Sequence, residues 1–280
     1  MTDDLSDQNS APSQLLQAVV VETVALTRRF GDFTAVDGVS LRIGAAEIYG
    51  LIGPNGAGKS TLIKMLTTML PPTSGRALVA GFDVAKQAAE VRRRIGYVPQ
   101  LLSADGELSG YENLLLSARL YLLPVAEREQ RIADALAMMG LSDVRDRLVR
   151  NYSGGMIRRL EIAQSTLHHP AIIFMDEPTE GLDPVGRHAV WNHIRDLRSR
   201  LGAAVIVTTH YMDEADVLCD RIALIDRGRV RAVGTPAALK AGVGPNATLD
   251  DVFEKLTGAA IEDGGYSAVR QERRAAREHT

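Results

Sequence analysis

Gly53-Pro54-Asn55-Gly56-Ala57-Gly58-Lys59-Ser60 fits the pattern G-x-x-x-x-G-K-[ST]. Glycines in such a loop let backbone N–H groups turn inward around phosphate oxygens, at the positive end of the helix that follows. Lys59 then neutralises β- and γ-phosphates, and Ser60 is placed to ligate Mg²⁺. A second candidate lies downstream, where the apolar run Ala171-Ile172-Ile173-Phe174-Met175 ends in Asp176 and Glu177. At the end of a parallel strand beside a phosphate loop, Asp176 can hold Mg²⁺ through water while Glu177 polarises an attacking water. Between the two, Tyr152-Ser153-Gly154-Gly155-Met156 offers Ser153 as a helix N-cap and two glycines that leave room for an anion. Capping alone explains that segment; its position between phosphate loop and acid pair gives it weight. Together these residues describe a nucleoside triphosphate site.

The elements that must position these groups alternate. Ala18–Leu26 reads as a β-branched strand, Val36–Ile43 alternates apolar and polar residues, and Glu47–Ile52 runs straight into the glycine loop. Helical spacing predicts a helix over Thr61–Leu70, stopped by Pro71 and Pro72. From about 101 to 165 the chain becomes helical: Glu112–Leu123, Glu127–Met139 and Met156–Leu167 carry amphipathic patterns. Strands are expected at Ala171–Met175, Ala203–Thr208, Ile222–Ile225 and Val230–Val233, with a helix over Val185–Leu201. This alternation implies an α/β fold on a parallel sheet, with residues 101–165 inserted as a helical unit. Trp191, with Ile194, Leu197 and Leu201 on one helical face, reads as core, and Cys219 as a small buried apolar residue. His168 and His169 close a helix just before Pro170, where the C-terminal dipole favours them.

With these motifs in order, the chain resembles the ATP-binding-cassette (ABC) ATPases over about residues 18–235. The phosphate loop is similar to their Walker A, Gln100 to the Q-loop glutamine, and Tyr152–Met156 to the signature LSGGQ. Asp176 and Glu177 resemble Walker B with the catalytic glutamate, Gly181-Leu182-Asp183 the D-loop, and His210 the switch histidine. Two departures stand out. Tyr152 and Met156 replace the leucine and glutamine of the signature, and Phe30 stands where the family more often has a tyrosine that stacks on adenine. The resemblance implies a P-loop NTPase core with a small antiparallel β subdomain and the helical insertion. It implies ATP contacts at Phe30, Gly53, Pro54, Asn55, Gly56, Ala57, Gly58, Lys59, Ser60, Thr61, Gln100, Ser153, Gly154, Gly155 and Asp183. Catalysis falls to Glu177, His210 and Lys59, and Mg²⁺ to Ser60, Gln100 and Asp176. Ala35–Ser40, Arg158–Ala163 and Leu249–Phe253 further resemble exporter ATPases of the daunorubicin-resistance and nodulation type.

A single cassette of this family cannot complete its own site. The resemblance therefore implies a head-to-tail dimer with a second copy, in which Ser153 of one subunit covers ATP on the other, and a separate polytopic permease as membrane partner. The chain has 280 residues, 45% apolar and 24% charged, which suits an ordinary soluble globular protein with a sizeable core. Its 32 basic and 35 acidic residues give 32 − 35 = −3, arguing against a general nucleic-acid binder. One cysteine excludes intrachain disulfides and cysteine-rich zinc sites. Apolar runs fall far short of the roughly 18–20 residues that span a bilayer, and Asp3, Asp4 and Asp7 do not suit a secretory signal. The expected location is the cytoplasmic face of a membrane, reached through the permease. Residues 1–17 and the arginine-rich tail beyond Gly264 read as disordered, and 236–280 as a C-terminal extension. Two alternatives carry the same motifs: a soluble ABC ATPase acting on nucleic acid or ribosomes, and an importer ATPase. The lack of a tandem cassette and of room for a long arm between Lys59 and Ser153 weighs against the first. The short stretch after Gly234 weighs against the second.

Overall fold

The computed structural model describes residues 18–258, so both terminal segments read as disordered lie outside the described residues. The first β-branched run forms a longer strand than expected, β1 (Val19–Phe30), which turns through Gly31 into β2 (Phe33–Gly44). The run into the glycine loop is β3 (Ile48–Ile52), followed by α1 (Lys59–Leu66). This helix ends four residues before the expected Leu70. The Thr67 hydroxyl donates back to Ile63 O at 2.9 Å, and Thr68 adopts a left-handed φ of +66°, which breaks the helical path and leaves Met69 exposed.

Four short elements follow that the sequence pattern did not reveal: β4 (Ser74–Val79), β5 (Phe82–Asp83), α2 (Ala88–Arg92) and β6 (Ile95–Val98). The helical stretch contains α3 (Gly110–Leu120), α4 (Val125–Met138) and α5 (Gly154–Thr166). A capping box between Ser109 and Glu112 starts α3, and Leu122 at φ +56° closes its end. Then come β7 (Ile172–Asp176), α6 (Pro184–Leu201), β8 (Ala204–Thr209), α7 (Met212–Leu218), β9 (Arg221–Asp226) and β10 (Arg229–Gly234). Helices α8 (Pro236–Ala241) and α9 (Leu249–Thr257) complete the described chain.

Two sheets result. One is antiparallel, in the order β2-β1-β4-β5; the other has six strands in the order β10-β9-β3-β8-β7-β6, parallel except for the β9–β10 hairpin. The central strands β3, β7 and β8 are buried at every position and mostly apolar because both of their faces are covered. Ile48, Ile52, Ile173, Met175, Val205 and Val207 point into a core shared with Leu160, Trp191 and Phe253 of the helices. Their alternates, Tyr49, Leu51, Phe174 and Ile206, point into a second core shared with α1 and the antiparallel sheet. Trp191 and Cys219 are buried as expected. His168 departs from the dipole reading: it stacks on Tyr121 at 3.9 Å, its Nε2 contacts Ile95 O at 2.9 Å, and burial pushes its pKa down.

Among the described residues no helix is long and apolar enough to cross a membrane. What matters for chemistry is the register. Ile52 pairs with Thr209 and Asp176 with Thr208, while Val98 of β6 pairs with Met175, so β3, β6, β7 and β8 finish at one sheet edge. The segments that follow them carry the glycine loop, Gln100, Glu177 and His210.

The β9–β10 turn braces that loop from behind. Gly228 N–H donates to Ala57 O at 2.9 Å, Gly228 O accepts from Asp37 N–H at 2.9 Å, and a Cβ on Gly228 would lie 2.8 Å from Ala35 O. Gly228 also sits at φ +76°. Gly228→Val should therefore cost about 1–3 kcal/mol of backbone strain. At roughly 2–4 °C per kcal/mol for a chain of this size, thermal unfolding should show a midpoint several degrees lower. An unchanged midpoint would mean that the turn yields freely.

Candidate nucleotide site

Packing requires glycine at two positions of the loop. A Cβ on Gly53 would fall 2.0 Å from Ile225 O, and one on Gly58 2.3 Å from Ala35 O. Gly58 is also the N-cap of α1, at φ +101°. The Lys59 side chain folds back over the loop, donating to Gly53 O at 2.7 Å and Pro54 O at 3.1 Å. Its ammonium, 4% exposed, also lies 3.4 Å from Glu177 Oε1. Burial outweighs that carboxylate and holds the Lys59 pKa below its ordinary value. Asn55 and Gly56 at the loop tip are exposed, and Ser60 and Thr61 are half-buried in the first turn of α1.

Ser60 Oγ donates to Asp176 Oδ1 at 3.0 Å, and Thr208 Oγ1 donates to the same oxygen at 2.6 Å. A serine hydroxyl beside a strand-end carboxylate is an all-oxygen donor set of the kind hard divalent cations take. Glu177 follows in a left-handed conformation, φ +48°, with its N–H held by Thr208 Oγ1 at 2.8 Å. That conformation is uncommon for a non-glycine residue and aims the carboxylate back across the sheet edge. Its second oxygen, Oε2, lies 3.2 Å from His210 Nδ1. Burial pushes the Glu177 pKa up, but the His210 hydrogen bond and the Lys59 charge together hold it below the usual carboxylate range. The same hydrogen bond raises His210 above an ordinary imidazole, against the effect of its burial.

The structure thus gathers Lys59, Ser60, Asp176, Glu177 and His210. Gln100 lies on the segment after β6, and its side-chain amide donates to Glu180 Oε2 at 2.6 Å. Phe30, at the tip of β1, is 44% exposed, with the Arg28 guanidinium 4.6 Å from its ring centroid. Asp183 caps α6, accepting from Gly186 N–H at 2.6 Å. Ser153, Gly154 and Gly155 stand apart: Ser153 is exposed and caps α5, accepting from Met156 N–H at 3.3 Å. The two glycines neighbour Leu182 and Gly186 at the start of α6. Among the described residues, no hydrogen bond joins Ser153, Gly154 or Gly155 to the glycine loop. Tyr152, in place of the signature leucine, is buried, and its hydroxyl donates to Val144 O at 2.7 Å, tying the segment to the helical stretch.

A supporting carboxylate escaped the sequence reading. Glu214 on α7 is 1% exposed and accepts from Thr179 Oγ1 (2.7 Å), Trp191 Nε1 (2.7 Å) and Thr209 Oγ1 (2.6 Å). It ties the segment after Glu177 to the one before His210. Sequence gave no sign of which member of the Asp213-Glu214 pair faces inward.

This geometry agrees with what the chain is similar to. A family model described as "ABC transporter" matches residues 36–180. The daunorubicin/doxorubicin resistance ATP-binding protein of Streptomyces peucetius is 48% identical, the match covering 81% of this chain and 68% of that protein. The linearmycin resistance ATP-binding protein of Bacillus subtilis is 36% identical over 88% of this chain and 77% of its own. A solved ATP-binding subunit of an ABC transporter superposes with a TM-score of 0.76 at 30% identity, covering 85% of this chain and 99% of that one. The chain belongs to the ABC transporter ATP-binding subunits, which bind ATP and couple its hydrolysis to transport.

The ring at Glu177 makes a direct prediction. The His210–Glu177 contact stabilises the fold between the lowered Glu177 pKa and the raised His210 pKa, fading as pH falls through the first or rises through the second. In a nucleotide-free NMR titration, His210 should titrate above an ordinary imidazole. In Glu177→Gln, where burial persists without the carboxylate, it should titrate below one. Equal values in the two proteins would contradict the pairing.

Proposed function

We propose that this chain powers an exporter by closing on ATP as a head-to-tail pair with a second copy of itself, against a separate polytopic permease. It works peripherally on the cytoplasmic face of a membrane, as the ATP-binding subunit of that exporter. The observation that carries this reading is the separation of two surfaces. Lys59, Ser60, Asp176, Glu177 and His210 converge at one sheet edge, while Ser153 and Gly154 are exposed elsewhere, with Gly155 half-buried beside them, and can serve another nucleotide. The relatives named for daunorubicin/doxorubicin and linearmycin resistance support export as the direction of transport.

The residue roles follow from their chemistry. Glu177 is engaged at both oxygens, by Lys59 and by His210. A γ-phosphate is a more highly charged partner for Lys59 and a further hydrogen-bond partner for His210, and their turning to it frees Glu177 to accept a proton from water. The loop amides and Lys59 bind the phosphates, Phe30 stacks on the base, and Asp183 steadies the start of α6 beside the signature glycines. Ser60 and Asp176, with Gln100 released from Glu180, would hold Mg²⁺, which when bound adds charge neutralisation at the phosphates. Ser153 and the amides of Gly154 and Gly155 supply donors on the far side of the partner's γ-phosphate.

Three substitutions separate these roles. Lys59→Ala should abolish ATP binding. Glu177→Gln should bind Mg-ATP but slow single-turnover hydrolysis by ~10²–10⁴, the usual contribution of a general base, and should shift from monomer to dimer on ATP by light scattering. Ser153→Arg should retain ATP binding and lose turnover. Normal hydrolysis by Ser153→Arg, or a constant mass for Glu177→Gln with ATP, would contradict the head-to-tail arrangement.

A further inference from the structure

Helix α5 carries a buried ion pair in an otherwise apolar setting. Arg158 and Glu161 are each 2% exposed, one helical turn apart, with Arg158 Nη1 3.0 Å from Glu161 Oε2. Both also reach out of the helix to the same segment. Arg158 donates through Nη1 to Pro99 O and through Nη2 to Gln100 O, each at 2.6 Å. Glu161 Oε1 accepts from Ser103 N–H, from the Ser103 hydroxyl at 3.1 Å and from Ala104 N–H at 3.4 Å. The segment 99–104 is thus fastened at both ends to one turn of α5. The same helix begins, less than two turns before Arg158, at the exposed Ser153.

Replacing a buried ion pair by apolar side chains of similar volume is often neutral or stabilising. Packing alone therefore does not account for two charges here, whereas a planar guanidinium spanning two successive carbonyls fixes a backbone direction that apolar groups cannot. We propose that Arg158 and Glu161 are positioning residues that make the Gln100 segment and the Ser153 end of α5 one rigid body, and so couple the two nucleotide sites of the dimer. The inference rests on the head-to-tail reading above. In that arrangement Gln100 addresses the nucleotide on its own chain and Ser153 the nucleotide on the partner. A displacement of Gln100 by bound nucleotide is then carried to Ser153, and occupancy of one site prepares the other.

The test compares steady-state ATP hydrolysis curves and thermal midpoints for the full chain, for Arg158→Met combined with Glu161→Leu, and for Arg158→Lys. The unaltered protein should give a Hill coefficient approaching two, one for each coupled site. The apolar pair should unfold within a few degrees of the unaltered protein, with its Hill coefficient reduced to about one. Nucleotide affinity measured on dilute, monomeric protein should not change. Arg158→Lys, whose single ammonium cannot hold both carbonyls and Glu161 together, should also lose cooperativity, and it decides the matter if the apolar pair does not fold. A Hill coefficient unchanged from the unaltered protein in a folded variant overturns the coupling role, as does a coefficient of one in an unaltered protein that dimerises. A constant mass for ATP-bound Glu177→Gln overturns the head-to-tail reading itself and this inference with it.

Discussion

The ammonium of Lys59 lies almost out of reach of water, and a charge there needs partners close by. It finds them in two carbonyls of its own loop and in Glu177. Much of the structure follows from supplying them. The loop must wrap tightly enough for Gly53 O and Pro54 O to face the side chain, which puts the backbone against Ile225 O and Ala35 O, where a Cβ cannot fit. Glu177 must turn back from the end of β7, which it does in a left-handed conformation stabilised by Thr208. The parallel register of β3, β7 and β8 brings these groups to one edge. The result is a chain of contacts from Lys59 through Glu177 to His210.

A second set of groups is held as firmly, away from the glycine loop. Ser153 and Gly154 are exposed and Gly155 half-buried, yet the helix they begin is anchored by a buried charge pair, and Tyr152 secures the segment from behind. An exposed surface so firmly held suits a role toward another molecule. On this account one chain contains two halves of different sites, and Arg158 with Glu161 is the mechanical connection between them.

The glycine loop, the acid pair and the central strands were legible in the sequence because their physics is local: a glycine spacing, a carboxylate at the end of an apolar run, strands buried on both faces. Elements set by tertiary contact were not. Strand β6 is only four residues long and contains Gly96, whose missing Cβ admits α5: one placed there would lie 2.4 Å from Ser165 O. Thr208 looks like any β-branched strand residue until the register sets it beside Asp176. Arg158 and Glu161 carry the i, i+3 spacing of a solvated surface pair and are buried only because the segment after β6 crosses over them. Helix α1 was expected to run to Leu70, but Thr68 takes a left-handed turn that helical periodicity does not register.

The central claim, that the two half-sites of one chain serve different nucleotides, can be tested by cross-linking between chains. Asn55 at the tip of the glycine loop and Ser153 at the start of α5 are both exposed, and the native Cys219 is buried. One preparation would carry Asn55→Cys and a second Ser153→Cys, both with Glu177→Gln to retain ATP. The two would be mixed and treated with a short bismaleimide, with and without Mg-ATP. The account predicts a covalent heterodimer that forms with ATP and is lost without it. A yield that ATP does not change, or bridging found only when both cysteines share one chain, would contradict it.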